Sequence, residues 1–281
     1  MKQLFKFLFV IVFLLGCNSN NQKPNIVVIL VDDLGWNDLG YSGSTFYETP
    51  NIDNLSKESF EFTNAYAASP VCSPTRASIM TGKHPARVNI TDWIPGLDPQ
   101  NRPLLGPKDL HNLPLKETTI AEKLKESGYN TFYVGKWHLG SEGFYPEDNG
   151  FDINFGGNKS GGPKGYFSPY ANPNIDDGPR GEYLTDRIGN EVVNFISKHQ
   201  NEKFFAYVPF YSVHTPIQSK KEYQEKYLNK RGDENHNRAD YAGMIESLDK
   251  NIGRIINKIE ELNLSENTLF IFTSDNGGIR A

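Results

Sequence analysis

Apolar residues in this chain gather in short runs that end abruptly in polar ones. Ile26-Val27-Val28-Ile29-Leu30-Val31 is a continuous, largely β-branched run of the kind found in a strand covered on both faces, and Asp32-Asp33-Leu34-Gly35 follows it. Thr131-Phe132-Tyr133-Val134 leads into Gly135-Lys136-Trp137-His138-Leu139-Gly140. The run from Lys203 to Pro216 reads as another strand with His214 just past its end, and Thr268 to Thr273 reads as a buried strand that stops at Ser274-Asp275-Asn276-Gly277-Gly278. Phe60-Glu61-Phe62-Thr63-Asn64-Ala65-Tyr66 alternates, which predicts one more strand delivering the chain to Cys72.

Helical spacing separates these runs. Thr49-Pro50-Asn51-Ile52-Asp53-Asn54-Leu55 has the form of a capped helix start, the segment after Glu117 stops at Gly128, and residues 183–199 continue the pattern. From Arg238 to Leu262, Met244, Ile245, Leu248, Ile252, Ile255, Ile256 and Ile259 recur on one face, which core packing explains fully. Residues 84–115 and 141–181 have no period and read as long loops. Strands alternating with helices predict an α/β fold with a mostly parallel sheet flanked by helices, whose strands deliver their carboxyl ends to one edge.

At 281 residues the chain is long enough for one large domain, and 37% hydrophobic residues supply a core. Asp and Glu outnumber Lys and Arg by 34 to 29 with no basic run, which excludes a nucleic-acid partner. Lys2 and Lys6 flank the apolar stretch Phe7 to Leu15, too short to span a bilayer but suited to an export signal. Leu14-Leu15-Gly16-Cys17 resembles the bacterial lipobox. That resemblance implies a signal over residues 1–17, a lipidated Cys17, a linker over 18–23, a domain over 24–281, and an exported lipoprotein on the periplasmic side of a membrane or at the cell surface. Cys17 and Cys72 are the only cysteines.

The polar clusters after the strands carry the chemistry. Adjacent carboxylates at Asp32 and Asp33 repel each other unless a cation joins them, so a hard divalent metal or an Asx turn both fit. Asp275 and Asn276 add oxygen donors, although a glycine turn uses the same residue types. Cys72 stands at a helix start, where backbone N–H groups favour an anion, and Arg76 lies one turn along. Lys136 and His138, two apart, point to the same side of an extended segment. Each of these patterns alone has an ordinary structural explanation; the acids at Asp32 and Asp33, the Lys136/His138 pair, His214 and the Asp275/Asn276 pair, each at the end of a strand, together point to one site.

Cys72-Ser73-Pro74-Thr75-Arg76 with Ala77-Ser78-Ile79-Met80-Thr81-Gly82 resembles the signature of the type I sulfatases, and Gly135-Lys136-Trp137-His138-Leu139-Gly140 resembles their second motif. The resemblance runs from Asn25 through Gly278 and implies the alkaline-phosphatase-like fold. It implies that Cys72 is oxidised to Cα-formylglycine by a formylglycine-generating or anaerobic sulfatase-maturing enzyme. It also implies that calcium (Ca2+) is held by Asp32, Asp33, Asp275, Asn276 and the modified Cys72, and that Arg76, Lys136, His138 and His214 serve catalysis. The expected substrate is a sulfated carbohydrate or aryl sulfate, with Trp93 and Ser160 as candidate contacts and Lys164, Tyr166 and Tyr170 within reach. The family pattern continues past Ser-Asp-Asn-Gly-Gly to another lysine and a small C-terminal antiparallel sheet, which the sequence ending at Ala281 does not include. Two other functions stay open: hydrolysis of phosphate or phosphonate monoesters on the same fold, and a lipoprotein that binds sulfated glycans without turnover.

Overall fold

A computed structural model describes residues 23–96 and 101–278. The signal and Cys17 lie outside the described residues. The elements in order are β1 (Asn25–Val31), α1 (Pro50–Lys57), α2 (Cys72–Thr81), α3 (Pro85–Val88), α4 (Ile120–Glu126), β2 (Asn130–Val134), β3 (Ile153–Phe155), α5 (Leu184–Lys198), β4 (Phe204–Pro209), α6 (Lys221–Leu228), α7 (Ala239–Glu261) and β5 (Thr268–Ser274). The five strands form one sheet in the order β3-β2-β4-β1-β5, every pair parallel.

Because side chains alternate across a strand, each face of the sheet has its own core. Val27, Ile29, Val31, Phe132, Val134, Ala206 and Val208 meet α5 and α7 on one face. Val28, Leu30, Tyr133, Phe205 and Tyr207 meet α2 and α4 on the other, through Ala77, Met80 and Ala121. The result is a three-layer sandwich with β4, buried along its whole length, at the centre of the sheet. α4 begins with a capping box between Thr119 and Glu122, which answers two orphan backbone donors reciprocally.

Several expectations change. Residues 60–66 form no strand: Phe60 is 95% and Tyr66 88% exposed, since the alternating pattern has no neighbouring strand to pair with. β5 is an edge strand with only β1 beside it, so Leu269 and Ile271 face outward and only one face is covered. Thr49 does not cap α1 through its side chain; its hydroxyl accepts from Gly40 N and donates to Asp53. Asp249 on α7 does the capping instead, accepting from the backbone N–H groups of Asn51 and Ile52 at 3.1 and 2.9 Å. The strand expected to reach Pro216 ends at Pro209, and the long loops contain α3 and β3, elements too short to show a period.

Candidate active site

The carboxyl ends of β2, β4, β1 and β5 lie side by side, and hydrogen bonds continue past them. Lys136 N donates to Pro209 O (2.9 Å), Asp32 N to Ser212 O (3.0 Å), Val213 N to Asp32 O (2.7 Å) and Asp275 N to Val31 O (3.1 Å). These bonds bring the polar clusters of four separate sequence regions together. Gly135 makes the close crossing from β2 possible: its φ is +125°, and a Cβ there would lie 2.0 Å from the Pro209 carbonyl oxygen. Asp33 and His138 adopt positive φ values of 59° and 58° without being glycine, a local strain that the surrounding packing and hydrogen bonds hold in place.

Arg76 is buried and its fork spans three partners. Nε donates to Asp275 Oδ2 at 2.9 Å, Nη1 to the Lys136 carbonyl at 2.8 Å, and Nη2 lies 3.2 Å from Asp32 Oδ1 and 2.7 Å from Asp275 Oδ2. The Lys136 ammonium, fully buried, donates to both Asp32 oxygens at 2.8 Å and to Cys72 Sγ at 3.1 Å. Asp275 Oδ1 accepts from Asp33 N, and Asn276 Nδ2 donates to Asp33 Oδ1 at 2.6 Å. Three buried carboxylates, Asp32, Asp33 and Asp275, thus face two buried cations, Arg76 and Lys136, which leaves one negative charge uncompensated when all three are ionised.

That surplus shows in the proton affinities. Burial pushes the Asp32 carboxyl up to about 8 against the pull of Lys136, with Asp275 and Asp33 adding to the rise. Burial also opposes ionisation of Asp275, but Arg76 and Lys136 hold it below the usual carboxylate range. Donor atoms of Asp32, Asp33 and Cys72 all lie within 4.8 Å of one another, and Asn276 Oδ1 is buried without a hydrogen-bond partner. An excess anionic charge, clustered oxygen donors and an orphaned amide oxygen fit a hard divalent cation.

Cys72 opens α2 and is 8% exposed. Burial, with Asp32 and Asp275, pushes its thiol up to about 12 despite Lys136. The helix start therefore does not make a thiolate here, contrary to what its position alone suggests, because desolvation outweighs the dipole. His138 Nε2 donates to the Ile94 carbonyl at 2.5 Å, which leaves Nδ1, buried and unpartnered, with the lone pair. Burial and Lys136 lower His138 to about 3, so the ring is neutral at physiological pH. His214 Nδ1 donates to the Thr215 carbonyl at 2.7 Å, so Nε2 faces Asp33 at 3.6 Å; burial and Lys136 lower this histidine too.

These groups form part of the lining of a cavity of about 620 Å³. Asp33, Cys72, His138, His214 and Asn276 meet Trp93, Ile94 and Pro95 on one stretch of wall and Lys159 and Gly161 on another. Trp93 is thus at the cavity as expected. Ser160 is not: it lines a separate small cleft with Lys164, Tyr170 and Tyr211, and its N–H is turned to Asn158 Oδ1. Tyr166 and Tyr170 are buried in the core; the single Tyr166 O–H is shared between the Tyr211 and His214 carbonyls, at 2.6 and 2.8 Å, and so fixes the backbone that carries His214. Ser73, not foreseen, donates to the His138 carbonyl and accepts from Ile94 N, tying α2 to both neighbours of the cavity. Lys159 also reaches the cavity and was not foreseen; its signal was one of two lysines, with Lys164, in a stretch of glycine, proline and asparagine.

Residues 24–280 match the family model described as Sulfatase. N-acetylgalactosamine-6-sulfatase of Homo sapiens is 33% identical over 287 residues, covering 94% of this chain and 52% of that protein. N-acetylgalactosamine-6-O-sulfatase of Bacteroides thetaiotaomicron is 32% identical over 344 residues, covering 96% of this chain and 63% of that one. Among solved structures, Ps i-CgsB is similar with a TM-score of 0.75 at 32% identity, over 92% of this chain and 59% of that chain. The chain spans about half the length of the mammalian relatives it matches.

Proposed function

The chain belongs to the sulfatase family, and from that membership and the charge of its site we propose that it hydrolyses a sulfate ester of a carbohydrate. The observation that carries this reading is the buried cluster of three carboxylates and two cations around Cys72. A divalent cation turns its surplus of one negative charge into one positive charge, which matches the single charge of a sulfate monoester. The doubly charged phosphate monoester would be left unbalanced, which favours sulfate over the phosphoryl alternative.

Calcium on Asp32, Asp33, Asp275 and Asn276 would neutralise charge at the ester and acidify the attacking hydroxyl. Cys72, oxidised to Cα-formylglycine by a maturing enzyme, would present that hydroxyl as its hydrate, since the raised thiol pKa argues against the cysteine itself. Arg76 holds Asp32 and Asp275 in place with a planar fork that Lys could not reproduce. Lys136, between Asp32 and Cys72, keeps a positive charge against the reacting group. His214 has only Nε2 available to pass a proton to the departing alcohol, and a bound sulfate would raise its basicity. His138 keeps a lone pair at Nδ1 and would take one, the negative charge of a bound sulfate offsetting the burial and Lys136 that depress its basicity.

The named activity of the mammalian and bacterial relatives makes a 6-sulfated N-acetylgalactosamine the first sugar to try. Lipidation at Cys17 would place the protein at a bacterial membrane facing exported or environmental glycans, a reading supported by the lipobox-like leader alone. Sulfate released from N-acetylgalactosamine 6-sulfate, followed by ion chromatography alongside phosphate from the matching phosphate ester, tests the proposal. Matured protein should release sulfate in preference to phosphate, and Cys72→Ala should lower turnover by at least about a thousandfold. Sulfate release that survives Cys72→Ala contradicts it.

A further inference from the structure

Among the described residues, Lys159 is the only lysine or arginine lining the main cavity. Lys136 and Arg76 are buried and bonded to Asp32, Asp275 and Cys72, whereas Lys159 is exposed and forms no ion pair or hydrogen bond with any described residue. Lys136 already stands against Cys72 at the floor, where a divalent cation on the carboxylates would join it, so the charge of Lys159 on the wall is left for a different part of the ligand.

The backbone that carries Lys159 is held on both sides. Asn158, 2% exposed, donates from Nδ2 to the Gly156 carbonyl at 3.0 Å and to Asn172 Oδ1 at 2.9 Å, and its own carbonyl accepts from His138 N at 3.2 Å. On the other side the chain lies flat on the two site histidines. A Cβ at Gly161 would sit 2.8 Å from His138 Cε1 and Nε2, and one at Gly162 would sit 2.9 Å from His214 Nδ1. Lys159 therefore springs from a fixed point of the wall, and only its own side-chain rotamers must be ordered by a ligand. Its wall also differs in chemistry from that of Trp93, Ile94 and Pro95, which offers an aromatic and apolar surface.

We propose that Lys159 is a specificity-determining residue that recognises a second acidic group, a carboxylate or a further sulfate, on the carbohydrate whose sulfate ester is cleaved. This rests on the reading of the cavity as a sulfate-ester site and narrows its substrate class to saccharides carrying two acids. A point charge on a flexible stem suits either acid and either attachment position, where an arginine fork would demand one geometry.

Binding is measured by titration calorimetry on the full-length protein with Cys72→Ser, with and without Lys159→Ala. The probes are three disaccharides sharing one 6-sulfated N-acetylgalactosamine: one with a hexuronate neighbour, one with a neutral sulfated neighbour, and one with a neutral unsulfated neighbour. Lys159→Ala is expected to weaken one or both of the two-acid sugars about five- to tenfold and the one-acid sugar less than about twofold. The difference should shrink at about 0.5 M salt, as screening requires. Which two-acid sugar responds identifies the acid. An equal loss for all three sugars, no loss, or no binding of either two-acid sugar by protein that retains Lys159 overturns the inference. Sulfate release from the same sugars by matured protein is scored separately. Lys159-dependent preference without release would sink the hydrolase reading alone, and release without preference would sink only the role of Lys159.

Discussion

At the floor of the cavity Lys136 and Arg76 are buried and bonded to Asp32 and Asp275, while on its wall Lys159 is exposed and without an ion partner among the described residues and Trp93 is 37% exposed. Groups at the floor have been taken out of water, so their positions are fixed by one another and removing any member leaves a buried charge behind. Groups on the wall still have water as an alternative partner. The floor is suited to hold one chemistry unchanged, and the wall to discriminate among ligands at little cost to the fold.

The comparison breaks most directly at Arg76. Arg76→Ala should destabilise the protein by about 3 to 5 kcal/mol, because Asp32 and Asp275 lose their shared cation, and should abolish turnover with it. Urea unfolding with and without the substitution measures the first effect. An unchanged unfolding midpoint would mean that the cluster is not the interdependent unit described.

A smaller effect should appear with pH and cation. Burial raises the Asp32 carboxyl from 3.8 to about 8 in the cation-free fold, so the folded state holds that proton more tightly than the unfolded chain does. The contribution to stability is then fully present below about pH 4, falls as pH rises, and is lost above about pH 8. Chelator-treated protein should show a melting temperature that declines between about pH 5 and pH 8, and added calcium should restore more of it at pH 8 than at pH 5. A calcium effect that does not grow with pH would count against cation binding by the ionised Asp32.

The smallest effects belong to the wall. Trp93→Ala should raise KM for a sulfated saccharide about tenfold and leave the melting temperature within a few degrees, as expected for a half-exposed stacking surface. Ser160→Ala should change kcat/KM less than about twofold, since its cleft is separate from the main cavity. A large kcat loss from Ser160→Ala would show that the loop meets the ligand in another arrangement.

This division also explains what could be read from the sequence. Most floor residues follow within two positions of a strand, and a parallel sheet delivers the ends of its strands to one edge whatever the loops do, so Asp32, Asp33, Lys136, Asp275 and Asn276 were legible as a set, with His214 five residues past the end of β4. Arg76 followed from helical spacing to Cys72. The wall comes from residues 84–96 and 156–162, whose path is set by hydrogen bonds such as Asn158 to Asn172 and by close contacts such as Gly161 to His138, neither of which leaves a periodic trace. Lys159 was therefore missed in favour of Ser160. Residues 60–66 failed for a different reason: alternation reports a surface that suits a strand, not the presence of a neighbour to pair with.

The claim on which the rest depends is that Cys72 is not itself the nucleophile, its thiol being pushed up to about 12 at the edge of an anionic cluster, but the precursor of one. The direct test is the mass of the peptide spanning Cys72, taken from a preparation that releases sulfate. The account predicts a peptide about 18 Da lighter than the cysteine form, the difference between a thiol and an aldehyde. An intact cysteine in an active preparation would contradict it.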